Sequence, residues 1–119
     1  ANKVKISKDK LIKILKNIKK KNKNIIGYGA TAKSCTVLNY CGIDERTIDF
    51  FYDTTSFKLD KYLPGSKIKI KKYKKLSIKN YEYVFLGAWN FKDEIFKKEK
   101  QFIKNGGKFI THIPTPKII

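Results

Sequence analysis

Apolar residues near the start of the chain recur at helical spacing. Leu11, Ile14, Leu15 and Ile18 share one face of a helix expected over residues 8–21. Ser7 is placed as its N-cap, with Ile6 and Leu11 as a hydrophobic staple. Lysines at 10, 13, 16, 19 and 20 fill its outer face, and "KKKNKN" closes it as a polar turn. The period then changes. Residues 24–28 predict a short strand, "GYGA" turns it into a helix over 31–41, and Gly42 stops that helix. "TIDFFYD" predicts a second strand, 47–53, whereas 54–66 has no period and turns at Pro64-Gly65. "KIKI", 67–70, alternates as a third strand would. "EYVFLGAW", 82–89, is the most apolar run and predicts a central buried strand. Asn90 is placed as the cap of a helix over 91–104, whose Asp93 and Glu94 oppose the positive end of the helix dipole. Gly106-Gly107 ends that helix, and "KFITHIP", 108–114, forms the last strand.

Strands alternating with helices imply an α/β fold: a small doubly wound, Rossmann-like domain with a mostly parallel sheet of about five strands and helices on both faces. Ligands of such sheets bind beyond the carboxyl ends of the strands, where strand order reverses. A 3-2-1-4-5 order brings "GYGATAK" (27–33) beside "GAWNF" (87–91), with Asp53 and His112 flanking them.

"GYGATA" is a variant of the G-x-G-x-x-G turn with Ala32 in the third place. Gly27, before Tyr28, is expected to permit the tight turn, and Gly29 to let a phosphate approach the backbone. Amides around Thr31 and Ala32 are the expected donors, with Lys33 adding a full positive charge. Asp53, 26 residues beyond Gly27, is either a ribose-binding acid or a cap for the turn that follows it. Trp89 ends a buried strand at the crevice, as a core residue or a stacking platform, and Asn90 and Phe91 follow it. His112 is the only histidine and lacks a nearby carboxylate or nucleophile, which favours a structural or solvent-facing role. No triad, paired-carboxylate site or metal spacing is visible. The chain can bind, with no visible means to catalyse alone.

Composition changes this picture only slightly. A length of 119 residues with 41% hydrophobic content suits one domain with a real core. The net charge of +18 comes from 27 lysines and the single Arg46, accompanied by many Ile, Asn and Tyr residues. That reads as compositional drift on solvated faces, because base recognition favours arginine's paired donors. Neither a specific nucleic-acid partner nor a membrane partner is expected, and no run reaches the 18 apolar residues of a membrane span. A cytoplasmic location follows as the expectation. Cys35 and Cys41 fall on different faces of one helix, as reduced thiols. The absence of methionine, with Ala1 at the start, predicts a domain cut from a longer protein.

Five segments in order resemble one family: "GYGATAK", "TVLNYCGID" (36–44), "YLPGSKIKI" (62–70), "AWNFKDEI" (88–95) and "GGKFITHIP" (106–114). The resemblance is to the C-terminal domain of S-adenosylmethionine-dependent sugar-nucleotide C-methyltransferases and covers about Lys8 to Pro114. It implies a parent enzyme with an N-terminal zinc-binding domain and a middle methyltransferase domain. The middle domain would bind S-adenosylmethionine and supply the catalytic tyrosine and histidine, so that no cofactor is held by this portion. The resemblance further implies that Gly27, Gly29 and Ala30 with Lys33 face the substrate diphosphate, and that Trp89 to Phe91 sit at the neighbouring edge. Two departures stand out: "KSC" follows the turn where the family more often has a small residue and Asn, and His112 stands where an aliphatic residue is commoner. The rival readings are a free-standing NAD(P)-type domain on the same glycine turn and a polyanion binder using the lysine surface.

Overall fold

The computed structural model describes residues 2–119, with side chains described from Ser7 onward except at Ser56. Helix α1 (Asn2–Lys20) leads into β1 (Ile25–Tyr28) and α2 (Ala32–Cys41). Then come β2 (Phe50–Asp53), a 3-10 turn (Ser56–Lys58), β3 (Lys69–Lys72) and β4 (Tyr83–Leu86). A second 3-10 turn (Trp89–Phe91) precedes α3 (Lys92–Lys98), α4 (Lys100–Lys104), β5 (Lys108–Thr111) and β6 (Lys117–Ile118).

The sheet runs β3-β2-β1-β4-β5-β6, so the order reverses between β1 and β4 as expected. The first five strands are parallel, and β6 pairs antiparallel with β5. Successive strand residues point to opposite faces, and both faces are covered. Ile25, Phe51, Phe85 and Ile110 pack with Leu11, Leu15 and Ile18 of α1 and Leu38 of α2. Their neighbours Ile26, Phe50, Val84 and Phe109 pack with Ile95 of α3 and Phe102 of α4. That two-sided burial explains why β4 reads as a continuous apolar run.

Several boundaries differ from expectation. Helix α1 begins at Asn2, so Ser7 lies inside it instead of capping it. Residues 2–7 contain no Gly or Pro to stop the helix, and an internal serine costs it only a fraction of a kcal/mol, on the order of 0.5. The side chain of Ile6, half of the expected staple, lies outside the described residues. Strand β2 starts only at Phe50, because the amides of Thr47 and Ile48 turn back onto the Asp44 carbonyl. Strand β3 sits two residues later than "KIKI".

The helix expected over 91–104 is broken at Glu99, and Asn90 caps nothing: Ala88 and Phe91 occupy the two cap positions. The sixth strand went unforeseen because two residues beyond Pro114 and Pro116 carry no periodicity. It is held through Phe109 and Ile119, each of whose amides donates to the other's carbonyl, at 3.0 and 2.8 Å. Cys41 is buried and Cys35 half-buried, and both are free thiols.

Candidate functional site

The turns after β1 and β4 meet at the reversal of strand order. Their contact is backbone against backbone. Gly29 has φ +86°, and a Cβ there would collide with Ala88. The amides of Gly87 and Ala88 both donate to the Tyr28 carbonyl, at 2.9 and 3.2 Å. Thr31 Oγ1 donates to the Gly87 carbonyl at 3.1 Å, closing the seam. Gly29, then, carries the left-handed turn that was expected of Gly27. Gly27 stays within β1, where the Phe51 ring occupies the space a side chain would need.

The start of α2 divides its amides between structure and solvent. Thr31 and Ser34 form a reciprocal capping box, in which the Ser34 amide donates to Thr31 Oγ1 at 3.2 Å. The Thr31 amide, expected to face a phosphate, is already committed to the Gly29 carbonyl and Ser34 Oγ. Ala30 N–H donates to Asp53 Oδ2 at 2.8 Å. Among the described residues, the amides of Ala32 and Lys33 have no partner, as the first amides of a helix lack intrahelical acceptors. The free donors thus lie one residue further along than expected.

Asp53 is a latch. Its side chain is 8% exposed, and Oδ1 accepts the Thr55 amide at 2.8 Å, the turn-capping role weighed above. Lys58 Nζ stands 3.8 Å from Asp53 and donates to the Ala30 carbonyl at 2.8 Å. Burial pushes the Asp53 carboxyl up, but the Thr55 and Ala30 amides and Lys58 outweigh it and hold it below its ordinary value.

Beside Asp53 opens a cleft of ≈ 300 Å³, bordered by Gly29, Tyr52, Lys58, Tyr73, Phe91 and Lys98. Tyr28, on its wall, also belongs to a buried network that sequence reasoning missed. Its hydroxyl donates to Glu99 Oε2 at 2.9 Å, and that of Tyr73 donates to the same oxygen at 2.6 Å. The Leu76 amide donates to Glu99 Oε1 at 3.3 Å, and Glu99 is fully buried. Burial, then the hydrogen bond to Glu99, raises both phenols well above the ordinary tyrosine range, so both remain donors. A signal existed in the sequence. Glu99 follows Ile95 by four residues and precedes Phe102 by three, a charge on the apolar stripe of its helical segment.

Across the seam, Trp89 is half-buried with Lys92 Nζ 4.7 Å over its ring, Asn90 is exposed, and Phe91 is 56% exposed. A second cavity, of ≈ 70 Å³, lies among Thr31, Lys33, Ala88, Trp89 and His112. His112 is buried, and its ring stacks on Phe85 at 5.5 Å and 13°. Burial and then the Lys33 charge hold its imidazole below the ordinary value. The expected residues divide between two adjoining cavities: Tyr28, Gly29 and Asp53 line the larger, Lys33, Trp89 and Asn90 the smaller, Thr31 and Phe91 both, and Gly27 and Ala30 neither.

Residues 1–114 match the family model described as "C-methyltransferase C-terminal domain". A C-methyltransferase of Streptomyces niveus, NovU, is 42% identical over 97 residues, which is 82% of this chain but 23% of that protein. The chain spans about a quarter of the length of that curated relative. By the match over nearly its whole length, this chain belongs to the C-methyltransferase C-terminal domain family.

Proposed function

We propose that this chain is the substrate-binding, C-terminal portion of an S-adenosylmethionine-dependent C-methyltransferase acting on a nucleotide-linked sugar. On this reading 1–119 is one Rossmann-like domain, working beside a methyltransferase domain of the same parent chain. The carrying observation is the crevice itself. Thr31 and Lys33, at a helix start whose Ala32 and Lys33 amides are unpartnered, share a cavity with the Trp89–Phe91 turn across a glycine seam. Such a helix start holds a phosphate oxygen, and an exposed aromatic beside it offers a flat surface to a sugar or base.

The methyl donor does not suit the smaller cavity, which carries Lys33 and no carboxylate, while the larger cleft balances Lys58 and Lys98 against Asp53 and Glu94 and favours neither sign. Donor binding and proton abstraction beside the sugar ketone are accordingly assigned to the other domains of the parent. Both oxygens of Asp53 already accept backbone amides, which weighs against a ribose clamp of the NAD type.

Calorimetric titration of the chain with dTDP, GDP, NAD and S-adenosylmethionine at moderate salt tests the proposal. Selective binding of one nucleoside diphosphate is expected, and Lys33→Ala should weaken it about tenfold through loss of a charge-assisted contact. Preference for NAD or S-adenosylmethionine would overturn it. Affinity that collapses steeply with salt for every anion would point to the lysine surface instead.

A further inference from the structure

His112 presents an anomaly that the fold does not resolve. It is 8% exposed, and its Nε2 is a fully buried nitrogen with no hydrogen-bond partner. It is the one such side-chain atom among the described residues. Buried polar atoms are nearly always paired, because leaving one unpaired costs about 1–3 kcal/mol. Stacking on Phe85 holds the ring but offers the nitrogen nothing. His112 also borders an apolar groove with Leu11, Val37, Tyr40 and Pro116, and no acceptor is supplied there either.

The cavity on its other side supplies the context. Lys33, Thr31, Ala88, Trp89 and Asn90 share its wall, and no carboxylate lines it. The larger cleft, by contrast, sets Asp53 and Glu94 against Lys58 and Lys98. An oxyanion entering the crevice therefore meets balanced charge on the Asp53 side and uncompensated positive charge on the Lys33 side. Thr31 and Lys33, at the start of a helix of 10 residues, line the cavity, and the Lys33 amide has no partner among the described residues. At ≈ 70 Å³ the cavity is several-fold smaller than the ≈ 300 Å³ cleft across the seam, which suits it to a small group rather than to the whole nucleotide.

We infer that this cavity seats a single phosphoryl group of the bound nucleotide, and that His112 Nε2–H donates to it alongside Lys33 and the open start of α2. The inference rests on the proposed function and specifies which side of the crevice takes the phosphate and which residue, outside the glycine turn, recognises it. A phosphoryl group accepts hydrogen bonds and donates none when ionised, so it complements a set made only of donors. With the cavity empty, Lys33 on α2 opposes protonation of the imidazole; a bound oxyanion offsets that charge.

The chain's single histidine makes the test direct, because every imidazole resonance belongs to His112. The 119-residue chain is titrated with inorganic pyrophosphate and with thymidine diphosphate at physiological salt, following the imidazole by NMR. Both probes should shift it saturably. His112→Phe, which keeps the stack on Phe85, should weaken both probes about tenfold, while His112→Gln, which keeps a donor, should lose less. Backbone spectra of the two variants establish that each is folded. Thymidine diphosphate binding that leaves the imidazole unmoved and His112→Phe unaffected would overturn this inference and leave the proposed function standing. Silence for both probes would overturn both. A shift seen only at low salt would assign the effect to the lysine surface and overturn the phosphoryl site.

Discussion

The two faces of the sheet are built differently. Beneath α1 and α2 the interior is aliphatic and aromatic, with Leu11, Leu15, Ile18, Phe51 and Phe85 fully buried and polar groups only at its margin. Beneath α3 and α4 a carboxylate, Glu99, is buried among Phe102, Phe109, Tyr28 and Tyr73. The first face needs only volume and hydrophobicity, which many sequences could supply. The second demands particular donors at particular distances, and Tyr28 and Tyr73 belong both to it and to the wall of the cleft. Specific polar packing thus borders the larger cleft. Truncation of the apolar face is the larger expected loss. Phe51→Ala removes the ring that fills the space over Gly27 and packs edge-on against Phe85 at 6.1 Å. It should lower unfolding free energy by about 4 kcal/mol in urea titrations. A loss below about 1 kcal/mol would mean that the face collapses around the gap and is not closely packed.

On the polar face the expected effect is smaller and of another kind. Tyr73→Phe deletes the donor 2.6 Å from Glu99 Oε2 and leaves that oxygen with Tyr28 alone. Tyr73 is only half-buried, so water can replace part of what is lost. A cost of about 1.5 kcal/mol is expected. The distinguishing readout is local: amide exchange should quicken at Leu76 and through α3 and α4, which meet at Glu99, while α1 stays protected. Uniform quickening across both faces would erase the contrast between them.

That same contrast decides what could be read from the sequence. The apolar pattern located α1, α2, the segment divided into α3 and α4, and the five parallel strands to within a few residues, because Leu11, Leu15 and Ile18 announce burial by spacing and β4 by its continuous apolar run. It also placed the crevice, since alternating strands and helices leave few possible strand orders. What it could not supply were pairings between distant residues. Lys58 reaches the Ala30 carbonyl, and Tyr73 reaches Glu99 across 26 residues, with no local pattern to mark either. The break at Glu99 is tertiary, since a helix former turns inward to meet two phenols. Asn90 shows the opposite failure, a good local cap signal overridden by the 3-10 turn that follows the Gly29–Ala88 contact. In the glycine turn the residues were found but some roles were exchanged. Which glycine bends and which makes room depends on where Phe51 and Ala88 sit.

The smallest effect lies at the margin of the apolar face, where His112 stacks on Phe85. His112 is held below its ordinary value by burial and by Lys33, with Lys8 and Cys41 around the adjoining groove. The unfolded chain therefore binds a proton more readily than the folded one, starting near the ordinary value of 6.5. Stability from this group is fully present above that pH and is lost as pH falls from it towards the folded value. Asp53 has the same sign but acts only in the acid range, below its ordinary value of 3.8. Urea midpoints should accordingly fall between about pH 7 and pH 5, where no other histidine titrates. His112→Phe should flatten that segment while leaving the acid limb in place. Saturating pyrophosphate should flatten it too, because the oxyanion stabilises the protonated ring in the folded state. A slope that persists in His112→Phe would place the titrating group elsewhere and separate the stability of this margin from the chemistry of the crevice.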